Sequence, residues 1–376
     1  MPTTALRTEY TNEGTLYVSL ELSAKTWKVT STGWSGRIRD KNVVAGDLEG
    51  LEEELGRAKE KHGLGEEARV VSCYEAGRDG FWIHRELEAR GIENLVVDPA
   101  SVQVNRRKRR AKTDRIDGRK LLEGLQEWCK GKRGHWSVVE VPSVEAEDWR
   151  HVHRELETLK RERTRMNNRM RALLFGQGLE VSLRGDFAGA LSRLRLRDGR
   201  ALPEHLRDRL VREYERLVLV RKQIAELERE RRVAIRTSDD PAVEKVRKLM
   251  NLWGIGENGG WVWGMEFFGW RVFHNRRQVG SLAGLTSTPS KSGEMSRELG
   301  IDKAGNPRVR AMAIEIAWCW IRFQPDSELT KWWLKFARDK RSRKVGIVAL
   351  ARKVLIAAWR YLEYDCVPAG ARVRVA

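Results

Sequence analysis

Apolar side chains recur at alternating spacings of four and three residues through the highly charged segment 149–235. This spacing places them on one stripe of a long helix, which needs a partner to exclude water from that stripe. The first run, interrupted at Arg163, consists of Val152, Leu156, Leu159, Met166, Met170 and Leu173. The second run, which follows glycines at 176, 178 and 185, consists of Leu217, Val220, Ile224 and Leu227. The segment predicts an antiparallel coiled-coil pair, either a spacer or dimerisation arm or a contact for nucleic acid through its basic faces.

The residues before this segment alternate between strand-like and helix-like patterns. Residues 16–22 alternate apolar and polar side chains and 26–30 continue the pattern, which predicts a β-hairpin. The patterns that follow indicate a helix near 46–62, a strand at 68–74, a helix near 79–90, a strand at 94–98 and a helix from about Asp114. Strands that alternate with helices predict an α/β sheet, in a first domain that ends near residue 140.

Beyond Pro241 the composition changes to glycine and tryptophan, and helical patterns extend to about residue 364. A third, mostly helical domain is therefore predicted. Its polar stretch at 281–306 includes residues 286–293, which indicate a flexible loop. Residues 252–256 resemble the glycine-hydrophobic-glycine turn of a helix-hairpin-helix, whose backbone N–H groups can contact phosphate. A tight helix connection without a ligand accounts for these residues equally well.

The charge balance favours a polyanionic partner. Lysine and arginine total 72 against 53 aspartates and glutamates, a net charge of +19, and nucleic acid is the leading candidate. A membrane partner is not expected, because Arg352 and Lys353 interrupt the best apolar run. The four cysteines are scattered without a CxxC pair, and residues 1–10 lack the apolar core of a secretory signal. These features lead us to expect a cytoplasmic protein.

Four carboxylates stand out by position. Glu21 and Glu75 end predicted strands, and Asp114 and Asp117 open a predicted helix with both side chains on one face. Such a set suits two hard cations, which stabilise the attacking and leaving oxygens of a phosphodiester displacement. The alternative is structural: Asp114 as a helix N-cap, Asp117 as a partner of the helix dipole, and two solvated strand ends.

Basic side chains precede this pair of aspartates, and a basic loop on the surface is the alternative to a phosphate contact. They are Arg106, Arg107, Lys108, Arg109, Arg110 and Lys112. A second basic group, Lys303, Arg308 and Arg310, follows a segment with four serines. Those serines are Ser287, Ser290, Ser292 and Ser296. A serine nucleophile needs an activating partner, and residue patterns alone favour a polar loop and select none of the four.

Three motifs in order resemble the DEDD transposases of the insertion-sequence one-ten group. They are YEAGRDG at 74–80, the run 96–117 that ends in AKTDRID, and the run 283–306 that contains Ser292-Gly293 and KAGN. The resemblance covers nearly the whole chain. It implies a RuvC-like domain of the RNase H fold at 1–143, with a mixed sheet and helices, a coiled-coil arm at 144–240, and a mostly helical transposase domain at 241–376.

The resemblance also implies roles for single residues. Glu75, Asp114 and Asp117 would be three of the family's four ligands for Mg²⁺ or Mn²⁺, and Ser292 the nucleophile that forms a covalent link to DNA. Glu21 stands where the family usually has aspartate, which shifts the ligand oxygens by about one ångström. Because Ser292 and the carboxylates lie in different predicted domains, a composite site between domains or subunits is implied.

Relatives of this kind use a structured guide RNA from their own element, a bridge RNA that pairs with target and donor DNA, and act as dimers that pair into tetramers. The resemblance therefore implies these partners for this chain, together with a bacterial, nucleoid-associated location. Two alternatives stay open. One is a metal-dependent Holliday-junction-type nuclease with water as the nucleophile, and the other is an inactive nucleic-acid-binding descendant in which Glu21 marks the decay of the metal site.

Overall fold

A computed structural model describes residues 14–33, 36–102, 114–134, 136–183, 185–292 and 295–374. At 100, 114–117, 188, 288–292 and 295–299 the description covers the backbone alone. The chain forms two compact units, Met1–Val141 and Pro142–Ala376. Among the described residues, no helix combines the length and the apolar character needed to span a membrane.

The first unit is a mixed sheet with helices on both faces. Its elements are β1 (Thr15–Leu22), β2 (Thr26–Thr32), β3 (Ile38–Val44), α1 (Leu48–Lys61), β4 (Arg69–Glu75), α2 (Trp82–Ala89), β5 (Glu93–Val97), a 3-10 turn (Pro99–Ser101) and α3 (Asp114–Cys129). The strand order is β3-β2-β1-β4-β5. Strands β1, β2 and β3 pair antiparallel, whereas β1, β4 and β5 pair parallel. The predicted α/β sheet and its first hairpin are confirmed.

Strand β3 was not predicted, and its sequence explains why. Residues 38–44 read IRDKNVV, with four consecutive polar side chains instead of an apolar alternation. The strand lies at the edge of the sheet, where few of its side chains are buried. Backbone hydrogen bonds to β2 define this strand, and the periodicity of apolar residues in the sequence does not detect such pairing.

The two faces of the sheet have separate apolar cores. On one face, Leu20 of β1 and Tyr74 of β4 pack with side chains of α1 and α2. On the other face, Val71 and Cys73 of β4 pack with α3, through residues such as Leu125. Alternation along each strand separates the two sets, because successive side chains point to opposite faces. Helix α3 therefore covers one face of the sheet, and α1 and α2 cover the other.

The second unit is mainly helical. Its elements are α4 (Val144–Phe175), α5 (Phe187–Arg193), α6 (Glu204–Thr237), α7 (Pro241–Asn251), α8 (Glu257–Trp263), a π-helical turn (Gly264–Phe268), α9 (Arg276–Leu282), β6 (Ser287–Ser292), β7 (Met295–Ile301), α10 (Pro307–Phe323), α11 (Glu328–Phe336) and α12 (Lys340–Tyr364). The predicted domain limits fall at Ser143 and Asp240, the residues that cap the N-termini of α4 and α7.

Helices α4 and α6 lie side by side, and the two predicted apolar stripes face each other within one chain. Leu156 and Leu159 of α4 share a core with Val220 and Ile224 of α6. Toward the end of α4, its residues instead pack with the start of α6, as Met170 does with residues 210 and 217. The two helices therefore run antiparallel.

The polar segment that indicated a flexible loop is a β-hairpin, so that prediction was wrong. Strands β6 and β7 pair antiparallel, and Ser292 is level with Met295. Residues 287–292 read STPSKS and carry no apolar alternation, so the pairing of backbone groups defines the strand. The glycine-hydrophobic-glycine segment connects α7 to α8, with Ile255 buried and Gly254 at a φ of +93° against the backbone of α10.

Candidate active site

Two of the predicted carboxylates lie side by side at one edge of the first unit's sheet. Strands β1 and β4 are parallel, with Leu20 level with Tyr74, so that the next residues, Glu21 and Glu75, are level too. Neighbouring strands lie about 4.8 Å apart. Both glutamates therefore occupy the carboxyl edge of the parallel strands, the edge at which ligands bind in open α/β sheets.

Both glutamates belong to the face that α3 covers. Leu20 and Tyr74 belong to the core on the opposite face of the sheet. Successive side chains of a strand point to opposite faces, so the next residues, Glu21 and Glu75, point toward α3. Cys73, two residues before Glu75, is buried under α3, and its thiol donates to the Leu121 carbonyl over 3.8 Å. Burial raises the pKa of Cys73 well above its usual value, and electrostatic interactions with Cys129 and Glu75 act in the same direction.

The start of α3 is held close to this edge. The hydroxyl of Ser19, two residues before Glu21, donates to the carbonyl of Gly118 over 2.7 Å. Asp117 directly precedes Gly118, and Asp114 precedes it by four residues, about 6 Å of helix. The backbone thus brings the four predicted ligand positions to one region. The side chains of Asp114 and Asp117 lie outside the described part, so their share in a metal site stays a prediction.

Gly118 allows the close approach of α3 to the sheet. A Cβ at this position would lie 2.8 Å from Thr30 Oγ1, which donates to Asp40 Oδ1 over 2.9 Å. Either the hydrogen bond or the helix would have to move. The glycine is therefore required by packing, in contrast to Gly56 of α1, where a Cβ would meet nothing within 4 Å.

We expect Gly118→Ala to lower the free energy of unfolding by about 1–3 kcal/mol, because the added methyl group overpacks the contact with Thr30. Gly56→Ala is the matched control and should raise stability by up to about 1 kcal/mol, since alanine favours a helix interior. Urea denaturation of the full chain measures both. Equal effects of the two substitutions would contradict the packing role of Gly118.

Lys28 is a site residue that the sequence reasoning missed. It lies directly opposite Glu21 in the antiparallel pair of β1 and β2. Paired residues of antiparallel strands point to the same face, so the half-buried Lys28 side chain joins the two glutamates under α3. The predicted hairpin already contained Lys28, but only the register between its two strands determines which residue lies opposite Glu21.

Two further sets of predicted residues, the first basic run and the proposed nucleophile, can be located only in part. The basic run 106–112 lies outside the described residues. Ser292 ends β6 in the second unit, where its backbone is level with Met295. No group of three or more His, Cys, Asp or Glu residues suited to a metal ion occurs among the side chains that the structure describes. The carboxylates of residues 114 and 117 are not among these side chains.

Arg308 and Arg310, predicted as nucleic-acid contacts, have partners inside the second unit. Arg308 Nε lies 2.9 Å from Glu157 Oε2 of α4. The guanidinium of Arg310 donates to the carbonyls of Lys303 and Gly305 over 3.1 and 3.3 Å, just beyond the hairpin. Lys303 is exposed and has a φ of +61°, a conformation that costs a residue other than glycine about 1–2 kcal/mol.

Known proteins similar to this chain are transposases. Residues 246–331, which include the serine hairpin, match the model of the Transposase IS116/IS110/IS902 family. The protein y4rJ of Sinorhizobium fredii, named as a transposase, is 40% identical over 374 residues, covering 95% of this chain and 94% of its own. This chain belongs to the IS110 family of transposases. The transposase of insertion sequence element IS1111A from Coxiella burnetii is 24% identical, over 76% of this chain and 75% of its own.

In this IS110-family transposase, a buried carboxylate joins the base of the serine hairpin to α4. Glu266, in the π-helical turn, is 1% exposed and accepts from His153 Nε2 over 2.8 Å and from Arg154 Nε over 2.8 Å. Asn306 Nδ2 donates to the same carboxylate over 3.1 Å. Asn306 also caps the N-terminus of α10, in the segment that links α10 to the end of β7 at Ile301. A π-turn inside a helix is often found at functional sites.

The pKa of Glu266 reflects two opposing effects. Burial favours the neutral acid and would raise the pKa, but the hydrogen bonds from His153 and Arg154 and the positive charge of Arg154 outweigh it. The pKa is therefore held far below its usual value, and the side chain is a carboxylate at neutral pH. A carboxylate only accepts hydrogen bonds, so the Nε2 atom of His153 must carry a proton.

Proposed function

We propose that this transposase cuts and rejoins DNA through a covalent link at Ser292, assisted by a divalent metal at a carboxylate site in an RuvC-like first unit. The observation that carries the proposal is the level placement of Glu21 and Glu75 on the face under α3. The five-stranded mixed sheet with helices on both faces supports the RuvC-like assignment. All four candidate serines lie in the hairpin and inside the matched family region, and the choice of Ser292 among them rests on the Ser292-Gly293 pair that carries the family resemblance.

The residues present fit a hard cation. Glu21 and Glu75 are neighbouring carboxylates on strands about 4.8 Å apart, and like charges at this separation repel each other. Carboxylate oxygens are the ligands that Mg²⁺ and Mn²⁺ prefer. Glu21, Glu75, Asp114 and Asp117 would hold the ion, which when bound stabilises negative charge on the oxygens of the phosphate. Lys28 adds a fixed positive charge beside Glu21.

The proposed chemistry exchanges one phosphate ester for another. The Oγ atom of Ser292 bonds to a DNA phosphorus, and the bond from that phosphorus to the 3′-oxygen breaks. The proton of the serine hydroxyl ends on the released 3′-hydroxyl, while the 5′-phosphate stays on the protein. A free 3′-hydroxyl of another strand then attacks the phosphoserine, reverses the link and restores the serine.

We further propose that a structured guide RNA from the element selects target and donor DNA. Base pairing would then supply sequence choice, while the protein contacts backbone and shape. The net charge of +19 supports binding of two nucleic acids. The paired helices α4 and α6 would form the coiled-coil arm of a homodimer that pairs into a tetramer on DNA, and the second unit would hold the transposase domain after the arm.

The carboxylate site is tested by strand exchange with Glu75→Gln, using element-junction DNA, the flanking RNA and Mg²⁺. We expect the rate to fall on the order of 100-fold or more, because metal-ion stabilisation of a phosphate is worth several kcal/mol. Glu60→Gln, which removes an exposed carboxylate from α1, is the control and should react at the wild-type rate. Metal-dependent exchange by Glu75→Gln at the wild-type rate would exclude Glu75 as a ligand.

A further inference from the structure

A strongly basic groove crosses the second unit beside the serine hairpin. Its volume is about 1190 Å³, and α9, α12, the base of the hairpin and the segment after α12 form its walls. Of the lining residues whose side chains the structure describes, seven are lysine or arginine and one, Glu328, is acidic. The carboxylate of Glu328 lies 2.9 Å from Lys331 Nζ, so it does not balance the charge of the groove.

The lysines and arginines of this groove lack acidic partners within the part of the chain that the structure describes. None of the seven forms an ion pair with a residue that the structure describes, including Arg276 and Arg277 of α9 and Arg352 and Arg360 of α12. Other cations of the same unit do pair, as Lys248 does with Asp365 at 2.6 Å. Unpaired like charges in one concave surface repel each other and attract a polyanion. The groove is therefore complementary to a chain of phosphates.

Arg352, which lines the groove, packs closely against α9 at a glycine. A Cβ on Gly280 of α9 would lie 2.8 Å from Arg352 Nε and 3.4 Å from its Cζ. The guanidinium thus lies across α9 at the one position where the helix has no side chain. Arg352 is half-buried, so it is held in place more firmly than an exposed arginine. A planar guanidinium held in this way suits two-point contact with a phosphate.

The hairpin relates the groove to the proposed chemistry. Ser287, Gly300 and Ile301, at the base of β6 and β7, line the groove, and Ser292 lies five residues along β6. At about 3.3 Å per residue, this separation is about 17 Å, the length of about five base pairs of duplex DNA. A DNA strand whose phosphate reaches Ser292 can therefore lie with its neighbouring phosphates in the groove.

We propose that this groove binds the phosphodiester backbone of the DNA strand that reacts at Ser292. The inference rests on the proposed function, because the hairpin is what favours DNA over RNA as the occupant. The cations contact phosphates and not base edges, so they contribute affinity and register rather than sequence choice.

The test measures DNA binding by the full chain at several salt concentrations, with a labelled duplex that carries the element junction. Arg276→Gln/Arg277→Gln changes two exposed side chains, and Arg352→Gln/Arg360→Gln changes two on α12. For each pair, the slope of log K against log salt should fall in magnitude by about 1.8, since each phosphate contact contributes about 0.9. Lys245→Gln/Lys248→Gln removes two ion-paired cations and should leave the slope unchanged.

A second measurement separates this inference from the serine chemistry. Binding needs no cleavage, so the slopes are measured in a Ser292→Ala background without Mg²⁺. A weaker salt dependence of DNA binding in the variants supports DNA binding in the groove even if wild type forms no covalent adduct. An unchanged salt dependence of DNA binding for both pairs of substitutions overturns the proposal even if the adduct forms. The same variants are tested with the flanking RNA alone, and a loss confined to RNA binding also overturns the assignment to DNA.

Discussion

Ser292→Ala is expected to abolish the covalent protein–DNA adduct that wild type forms with element-junction DNA, Mg²⁺ and the flanking RNA. The substitution removes the only atom proposed to bond to phosphorus, and loss of a nucleophile typically slows a reaction on the order of 10⁴-fold or more. Denaturing gel electrophoresis measures the adduct, because only a covalent link survives denaturation. Strand-exchange product should disappear together with the adduct.

The hairpin offers a matched control for this experiment. Ser290 lies in the same strand, two residues before Ser292, and Ser290→Ala should keep the adduct. If DNA is cut without an adduct, and if wild type and Ser292→Ala cut equally, water is the nucleophile and the protein is a metal-dependent nuclease. If wild type neither cuts DNA nor responds to Mg²⁺, the chain is a binding protein without catalytic activity.

Glu266→Ala is expected to lower the free energy of unfolding by about 3–5 kcal/mol. The substitution leaves the buried His153 and the guanidinium of Arg154 without their carboxylate, and removal of one partner from a buried charged pair has costs of this size. Urea denaturation of the full chain measures the change. Glu315→Ala, which removes an exposed carboxylate from α10, is the control and should stay within about 0.5 kcal/mol of wild type.

The stabilisation by Glu266 should also depend on pH in a defined direction. Its pKa is lowered in the folded protein from the usual 4.5, so its contribution is fully present above about pH 4.5 and is lost as pH falls toward the folded value. The stability difference between wild type and Glu266→Gln should therefore shrink as pH falls below about 4.5. A difference that grows on acidification would contradict the assigned network.

The sequence predicted those parts of the fold in which apolar side chains are periodic. Strands β1 and β4 are rich in buried apolar residues, so the sequence predicts their ends, and with them the positions of Glu21 and Glu75. Strands β3 and β6 have polar sequences, and only backbone pairing defines them. Lys28 lay within a predicted strand, but its role depends on the register between β1 and β2.

The other features of the second unit depend on contacts between distant residues. The groove collects cations from residues 276 to 360, and no local pattern groups them. In the sequence, Arg352 and Lys353 only interrupt an apolar run. Glu266 was a lone carboxylate between Met265 and Phe267, and that isolation was the signal, because a charge inside an apolar segment needs a buried partner.

The attachment of Glu266 near the start of α4 gives the long helix the mechanics of a lever. His153 and Arg154 lie about 22 residues before the far end of α4 at Phe175, a distance of about 33 Å. A rotation of about 5° around the carboxylate would displace that far end by roughly 3 Å. The same rotation would displace Asn306, which is hydrogen-bonded to the carboxylate, by only a few tenths of an ångström. A displacement of the far end of α4 about this point would thus reach Asn306 in a much reduced form.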